Sequence, residues 1–283
     1  MKRFHILIIF TSILLLLVFS PGTAEETTIH VIDVGTGDAV LVETAGTYTL
    51  IDAGPDRNTT AAYLSDHNIT ALDLFLVTSM DPGKTGGILE VMNRTVVHDY
   101  RDTGTGQVYP YYGRVLEKIQ NESIPHSPLT AGDIISIGKD ASIEVIPANQ
   151  TDQTGYDEAV LKITVGNVSM LLLSQNGSPD ISLPDPIQIL RVPDHGSREA
   201  YDAGFIHRLK PEVAVISVGR IGKGPNKATV MGLEAAGAEV FQTDIRGTIL
   251  ITTDGEKYTT GSTRTSPAGS ISLISVIETR PPG

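Results

Sequence analysis

The chain has 283 residues, with 33 Asp and Glu against 21 Lys and Arg, a formal charge of −12, and neither Cys nor Trp. That length is enough for one or two domains with a real core, and 40% hydrophobic with 19% charged residues is an ordinary globular composition rather than a disordered one. The missing cysteines exclude a disulfide scaffold, thiolate metal ligands and a thiol nucleophile, and the acidic balance disfavours nucleic acid held mainly through its phosphates.

Residues 1–24 read as an export segment. Lys2 and Arg3 precede a 14-residue, largely apolar run, Ile6–Phe19, and Gly22 and Ala24 place small residues at −3 and −1 of a cleavage point before Glu25. The run is shorter than the ~20 apolar residues of a membrane-spanning helix, which favours a cleaved signal peptide over an uncleaved anchor. The anchor alternative would tether the domain through this segment alone. Cleavage removes Lys2 and Arg3 and no acid, so the charge moves from −12 to −14. Seven of the eight asparagines, Asn58, Asn68, Asn93, Asn121, Asn149, Asn167 and Asn176, head Asn-x-Ser/Thr triplets. They predict an extracellular or cell-surface protein carrying N-linked glycans, from an archaeon or a eukaryote.

Strands are predicted first at Thr28–Asp33, Ala39–Glu43 and Thr47–Ile51, followed by a helix at Thr59–Asn68 and a strand at Leu72–Thr78. Helical periodicity returns in Gly87–Asn93 and Gly113–Glu122. Strands follow at Ile134–Ile137, Ser142–Ile146, Ala159–Val165, Val168–Leu173 and Ile187–Val192, with Gly166-Asn167 as a two-residue hairpin turn. The last stretch alternates: helix Arg198–Leu209, strand Val213–Ser217, helix Ala228–Ala236 stopped at Gly237, then strands Glu239–Thr243, Thr248–Thr252 and Lys257–Thr260, the last two joined at Asp254-Gly255. This pattern predicts a mixed α/β (α+β) domain over residues 25–260, with sheets covered by helices. Residues 261–283 read as a Ser/Thr/Gly/Pro linker and a short tail, in which Ile271–Glu278 is strand-like and open to three readings: edge strand, tail, or start of a further module.

Six stretches carry a family resemblance: Asp33–Val42 (DVGTGDAVLV), Thr49–Pro55 (TLIDAGP), Val77–Leu89 (VTSMDPGKTGGIL), Leu190–Ser197 (LRVPDHGS), Ala214–Gly219 (AVISVG) and Glu234–Gly247 (EAAGAEVFQTDIRG). In this order and spacing the chain resembles, from about Thr28 to Thr260, the metallo-β-lactamase-like domain of the ComEC-type competence (DNA-uptake) proteins, without their channel-forming membrane part. The resemblance implies a four-layer αββα sandwich with its site on loops along one edge of the two sheets. It also implies one or two metal ions, often zinc or manganese, that make a bound hydroxide for hydrolysis.

The family's ligand run, His-x-His-x-Asp-His, reads here Ser79-Met80-Asp81-Pro82-Gly83-Lys84. Ser79 stands at the first His, Asp81 at the second ligand, Gly83 at the Asp and Lys84 at the last His. Glycine has no side-chain donor and a protonated lysine has no lone pair. Ser174-Gln175 replaces the family's Gly-Asp, Asp194-His195 keeps one imidazole of a His-His pair, and Gly224-Pro225 lacks the His of a Gly-His-Pro. The scaffold motifs survive and the metal ligands do not, so no metal cofactor is expected.

Two functional classes follow. One is a non-catalytic descendant acting in binding or surface assembly with a partner the sequence does not identify. In it Lys84 fills the vacated metal position and neutralises Asp81 and Asp194, unless Lys84 is a solvent-facing loop residue. The other is a hydrolase, of phosphodiesterase or nuclease type, with a mononuclear zinc or manganese site from Asp81, Asp194 and His195, with Asp52 as a further candidate, or a Ser79–His195 pair. The vestigial site therefore comprises Asp52, Ser79, Asp81, Lys84, Gln175, Asp194 and His195. Asp52 carries a turn role as readily as a site role, and Asp33 and Asp38 fit turn chemistry around Gly35 and Gly37. His30 reads as a packed or edge residue, and His67, His98, His126 and His207 as surface residues. The basic stretch from Arg220 to Lys227 is either an anion cradle or a solvated loop.

Overall fold

A computed structural model describes residues 26–104, 110–146, 158–173, 183, 186–200, 202–221, 224–264 and 275–277. The chain opens with three antiparallel strands, β1 (Thr27–Val31), β2 (Val40–Thr44) and β3 (Thr47–Ile51). Helix α1 (Thr59–Asp66), the short β4 (Ala71–Leu72) and β5 (Leu74–Val77) follow, then α2 (Pro82–Thr85), α3 (Ile88–Arg94), β6 (Val96–Val97), β7 (Tyr100–Asp102), α4 (Pro110–Asn121) and β8 (His126–Pro128). A second run comprises β9 (Ile134–Ser136), β10 (Ala141–Ile146), β11 (Val160–Val165), β12 (Val168–Leu172), β13 (Ile189–Arg191), α5 (Ala203–Leu209), β14 (Val213–Ile216), α6 (Lys227–Ala235) and β15 (Glu239–Gln242). It closes with α7 (Thr243–Arg246), β16 (Ile249–Thr253), β17 (Tyr258–Ser262) and β18 (Ser275–Ile277).

These strands form a nine-stranded sheet, β18-β17-β16-β1-β2-β3-β5-β7-β8, a seven-stranded sheet, β15-β14-β13-β12-β11-β10-β9, and the small pair β4-β6. Alternation along each strand assigns the layers. Val40, Val42, Ile51, Leu74 and Leu76 of the first sheet meet Ile143, Leu161, Met170, Ile189 and Val215 of the second in one buried core. The intervening residues Leu41, Leu50, Phe75 and Val77 point outward beneath Leu64 of α1, Ile88 and Val91 of α3 and Val115 of α4. On the far side Leu171, Leu190, Ala214 and Ile216 are covered by Phe205 and Ile206 of α5 and Leu233 of α6. Each such aliphatic side chain contributes roughly 1.5–3 kcal/mol on burial. The result is the four-layer αββα sandwich.

Differences from the sequence expectation have local causes. Gly166-Asn167 is the expected two-residue turn, with Val165 opposite Val168 and Gly166 at φ 55°. Asp254-Gly255, in contrast, lies in a four-residue loop, because Thr253 pairs with Tyr258 and the Asp254 carboxylate accepts the Glu256 and Lys257 N–H groups. Helix α5 starts at Ala203 rather than Arg198, where Asp202 caps it through the Phe205 N–H at 2.8 Å. β17 runs to Ser262 and Arg264 is ion-paired with Asp33, so ordered packing continues past Thr260. Within 271–278 the described residues Ser275–Ile277 form β18, an edge strand antiparallel to β17 with Ile277 opposite Tyr258.

Candidate functional site

Parallel strands place the site. β3, β5 and β7 run in one direction in the first sheet, and β12, β13 and β14 in the second. Asp52 and Thr78 follow the ends of β3 and β5; Asp194, His195 and Ser217 follow β13 and β14. The carboxyl ends of parallel strands are where α/β sheets present their sites.

The loops on the first sheet are locked together by backbone bonds. The Asp38 N–H donates to the Gly83 carbonyl at 3.0 Å, the Ala53 N–H to the Lys84 carbonyl at 2.7 Å, and the Gly54 N–H to the Asp38 carbonyl at 2.7 Å. The approach is so close that a Cβ on Gly86 would overlap the Pro55 carbonyl, which explains the Gly-Gly after Lys84. Within this frame Asp52 adopts φ 59° and turns its carboxylate inward, where it accepts the Thr78 N–H at 2.8 Å and the Thr78 hydroxyl at 2.7 Å.

Lys84 is 2% exposed. Its ammonium donates to the Thr78 hydroxyl oxygen at 2.9 Å and lies 3.9 Å from the Asp52 carboxylate. The solvent-facing alternative is thereby corrected, and so is the expected partner: the ion pair is with Asp52, not with Asp81 and Asp194. The reason is the turn after Ser79. Asp81 is the N-cap of α2, its carboxylate accepting the Gly83 N–H at 2.6 Å with Pro82 in the first turn, and this half-turn carries Lys84 down toward β3. Burial pushes the Asp52 carboxyl above its ordinary value; Lys84 and the Thr78 bonds oppose that, and the Glu158 charge adds to it.

Ser79 is fully buried and its hydroxyl oxygen accepts the Asp81 N–H at 3.1 Å. His195 bonds elsewhere: its Nδ1 lies 2.9 Å from the Ser217 carbonyl, which can only accept, so Nδ1 carries the proton and Nε2 the lone pair. No bond joins Ser79 to His195 among the described residues. Burial, then the Arg191 charge, lowers the His195 pKa; the Ser217 carbonyl and the carboxylates of Asp194 and Asp81 push it back. Asp194 and His195 sit at φ 43° and 50°, two left-handed residues in succession held by a 3-10 turn. Gln175 and its neighbour Ser174 lie outside the described residues, as do Gly222 and Lys223 of the basic stretch, in which Arg220 Nε donates to the Asp244 carbonyl at 3.3 Å.

A further pair was not anticipated from sequence. Arg191, at the end of β13, forms a buried ion pair with Asp38 from the loop between β1 and β2, and donates to the Leu173 carbonyl at 2.9 Å. Burial pulls the Arg191 guanidinium down to about 9. The pair joins the two sheets at the site edge. An arginine inside the apolar run Ile189-Leu190-Arg191-Val192 is the signal that marks it, since a charge there needs a buried partner.

The donor set does not fit the metal that the resemblance implies. Lys84 and Gly83 offer no ligand, Asp81 is engaged as a cap, and no group of three or more His, Asp and Glu is arranged to hold an ion among the described residues. All five described sequon asparagines, Asn58, Asn68, Asn93, Asn121 and Asn167, are exposed; Asn149 and Asn176 lie outside the described residues. No helix among the described residues is long and apolar enough to cross a membrane.

No family model matches the chain. Among curated proteins it is similar to ComE operon protein 3 of Bacillus subtilis, 24% identical over 269 residues, covering 84% of this chain and 34% of that protein. The chain thus spans about a third of that relative's length. Among solved structures it is similar to the metallo-beta-lactamase fold protein YhfI of Bacillus subtilis, with TM-score 0.59, 9% identity, and coverage of 81% of this chain and 100% of the other. It is also similar to Igni18, a metallo hydrolase of the archaeon Ignicoccus hospitalis, with TM-score 0.53, 17% identity and coverage of 79% and 98%. The chain has the metallo-β-lactamase fold, and over most of its length it is a relative of ComE operon protein 3.

Proposed function

We propose that this chain is an exported protein of the cell surface or exterior, in which a metallo-hydrolase scaffold serves binding or surface assembly without metal-dependent hydrolysis. The carrying observation is the buried Lys84 ammonium, bonded to Thr78 and paired with Asp52 at the motif position where the resemblance expects a metal-binding imidazole. A fixed positive charge with no lone pair both fails to ligate a cation and repels one. The leader-like residues 1–24 and the exposed sequons support export, and the relation to ComE operon protein 3 supports a competence-related role at the membrane or surface. The excess of acidic residues speaks against nucleic acid as the partner.

Elemental analysis of the purified full chain, before and after incubation with zinc or manganese and followed by phosphodiester and ester hydrolysis assays, tests this reading. Sub-stoichiometric metal and no metal-dependent turnover are expected; tightly held stoichiometric metal with turnover overturns it. A second reading, a hydrolase with a mononuclear site at Asp81, Asp194 and His195, draws support from the free Nε2 lone pair of His195. It predicts metal binding that is lost in His195→Ala, so the same analysis separates the two.

A further inference from the structure

The cleft of about 420 Å³ beside the site loop lies between α3 and α4. α4 lines it with Tyr111, Arg114, Lys118 and Asn121, spaced three, four and three residues apart and so one stripe of the helix; α3 contributes Leu89 and Asn93, one turn apart. Two sequon asparagines, from separate elements and both exposed, therefore converge on the same cleft from opposite walls. Tyr111 is fixed between them: its hydroxyl donates to the Gly86 carbonyl at 3.0 Å and accepts the Leu89 N–H at 3.2 Å.

The lining is not selective for a charged ligand. Its cations alternate with Glu117 and Glu122, and Lys118 is already paired with Glu122 at 2.5 Å. A neutral polyhydroxyl ligand suits it better, because each hydroxyl both donates and accepts and so bonds side chains of either sign, while the Tyr111 ring offers an apolar face to ring C–H groups. We propose that this cleft is the seat of N-linked carbohydrate, attached at Asn93 and Asn121, with the proximal sugars packed over Tyr111. The inference rests on the export reading and deepens it: carbohydrate covers Leu89 and Tyr111 and closes the cleft to free ligands.

The test expresses the full chain in a host that N-glycosylates secreted proteins, once with its own residues 1–24 and once with the host's leader in their place. Glycopeptide mass spectrometry reads site occupancy and tetranitromethane reads tyrosine access. Asn93 and Asn121 are expected to be occupied on the same molecules. Tyr111 nitration should be lost in that protein and regained in N93Q/N121Q or after enzymatic deglycosylation, with Tyr48, far from either site in sequence, unchanged. With the host's leader, glycans at Asn58 or Asn167 beside bare Asn93 and Asn121, no glycan at any sequon, or equal Tyr111 nitration in all forms overturns the cleft assignment alone. Entry with the host's leader but not with residues 1–24 overturns the export reading, and the native carbohydrate with it.

Discussion

Replacing Lys84 by Met tests the charge at the centre of the site. Met keeps an unbranched side chain of similar reach and removes the ammonium, leaving Asp52 with its two Thr78 bonds and no counter-ion. Both members of the pair are about 5% exposed or less at the side chain, so solvent does little to compensate. Breaking a buried pair from one side costs about 3–5 kcal/mol, whereas replacing both members is close to neutral. K84M should therefore lower the unfolding free energy by that amount, read as a fall in the urea midpoint at constant m, and K84M/D52N should recover most of it. The acid dependence follows from the sign of the Asp52 shift. Burial already raises its folded carboxyl above the unfolded value of 3.8, so its contribution to stability falls as pH rises through the folded value. Loss of Lys84 raises it further, so the K84M penalty is largest near neutrality and shrinks on acidification. A penalty below about 1 kcal/mol, or one independent of pH, would show that Lys84 is not the counter-ion of Asp52.

Three other outcomes are expected. Arg191→Met strands the Asp38 carboxylate and should cost about 3–5 kcal/mol in urea unfolding, largely regained in R191M/D38N; similar stabilities for the single and double variants would argue against the pair. Asp81→Ala removes the cap of α2 and should cost about 1 kcal/mol with no change in metal content; a fall in bound metal would instead make Asp81 a ligand. His30 is buried with its Nδ1 2.8 Å from the Tyr63 hydroxyl, and burial, then His67, lowers its pKa from 6.5 to about 4. Its folded pKa is depressed, so the unfolded chain binds the extra proton and stability falls as pH drops from 6.5 toward 4, by about 3 kcal/mol at most. His30→Gln should remove that slope in midpoint against pH.

The layers are legible because strands buried on both faces read as short continuous apolar runs between polar turns, as in Leu74, Phe75, Leu76 and Val77, whose side chains alternate between the two cores. β7 and β8 escape a sequence reading because Tyr100-Arg101-Asp102 and His126-Ser127-Pro128 carry no apolar run, unlike the equally short β9 and β13. At the site, the motifs point to Asp52 and Lys84 but not to Thr78, which bonds both, and they give Lys84 the partners Asp81 and Asp194 in place of Asp52. That direction is decided by Asp81-Pro82, an N-cap followed by a first-turn proline, which is itself readable as a helix start but was read only as ligand chemistry. The Asp38–Arg191 pair joins residues from different sheets, and sequence alone shows the buried charge without showing its counterpart.

The same two ion pairs bear on what holds the site edge together. The resemblance implies a metal site on loops along one edge of the two sheets; here Lys84 ties the loop after β5 to the end of β3, and Arg191 ties β13 to the loop between β1 and β2. Side chains thus make the connections that a chelator removes from a metalloprotein. A bound ion at a hundred times its dissociation constant contributes about 2.7 kcal/mol, and for a domain of 150–250 residues each kcal/mol moves the Tm by roughly 2–4 °C. EDTA should therefore leave the Tm of the full chain unchanged, where a metal-tied edge would lose several degrees. A fall of about 5 °C or more, restored by zinc or manganese, would mean that the edge is held by an ion and that the Lys84 pairing is not its replacement.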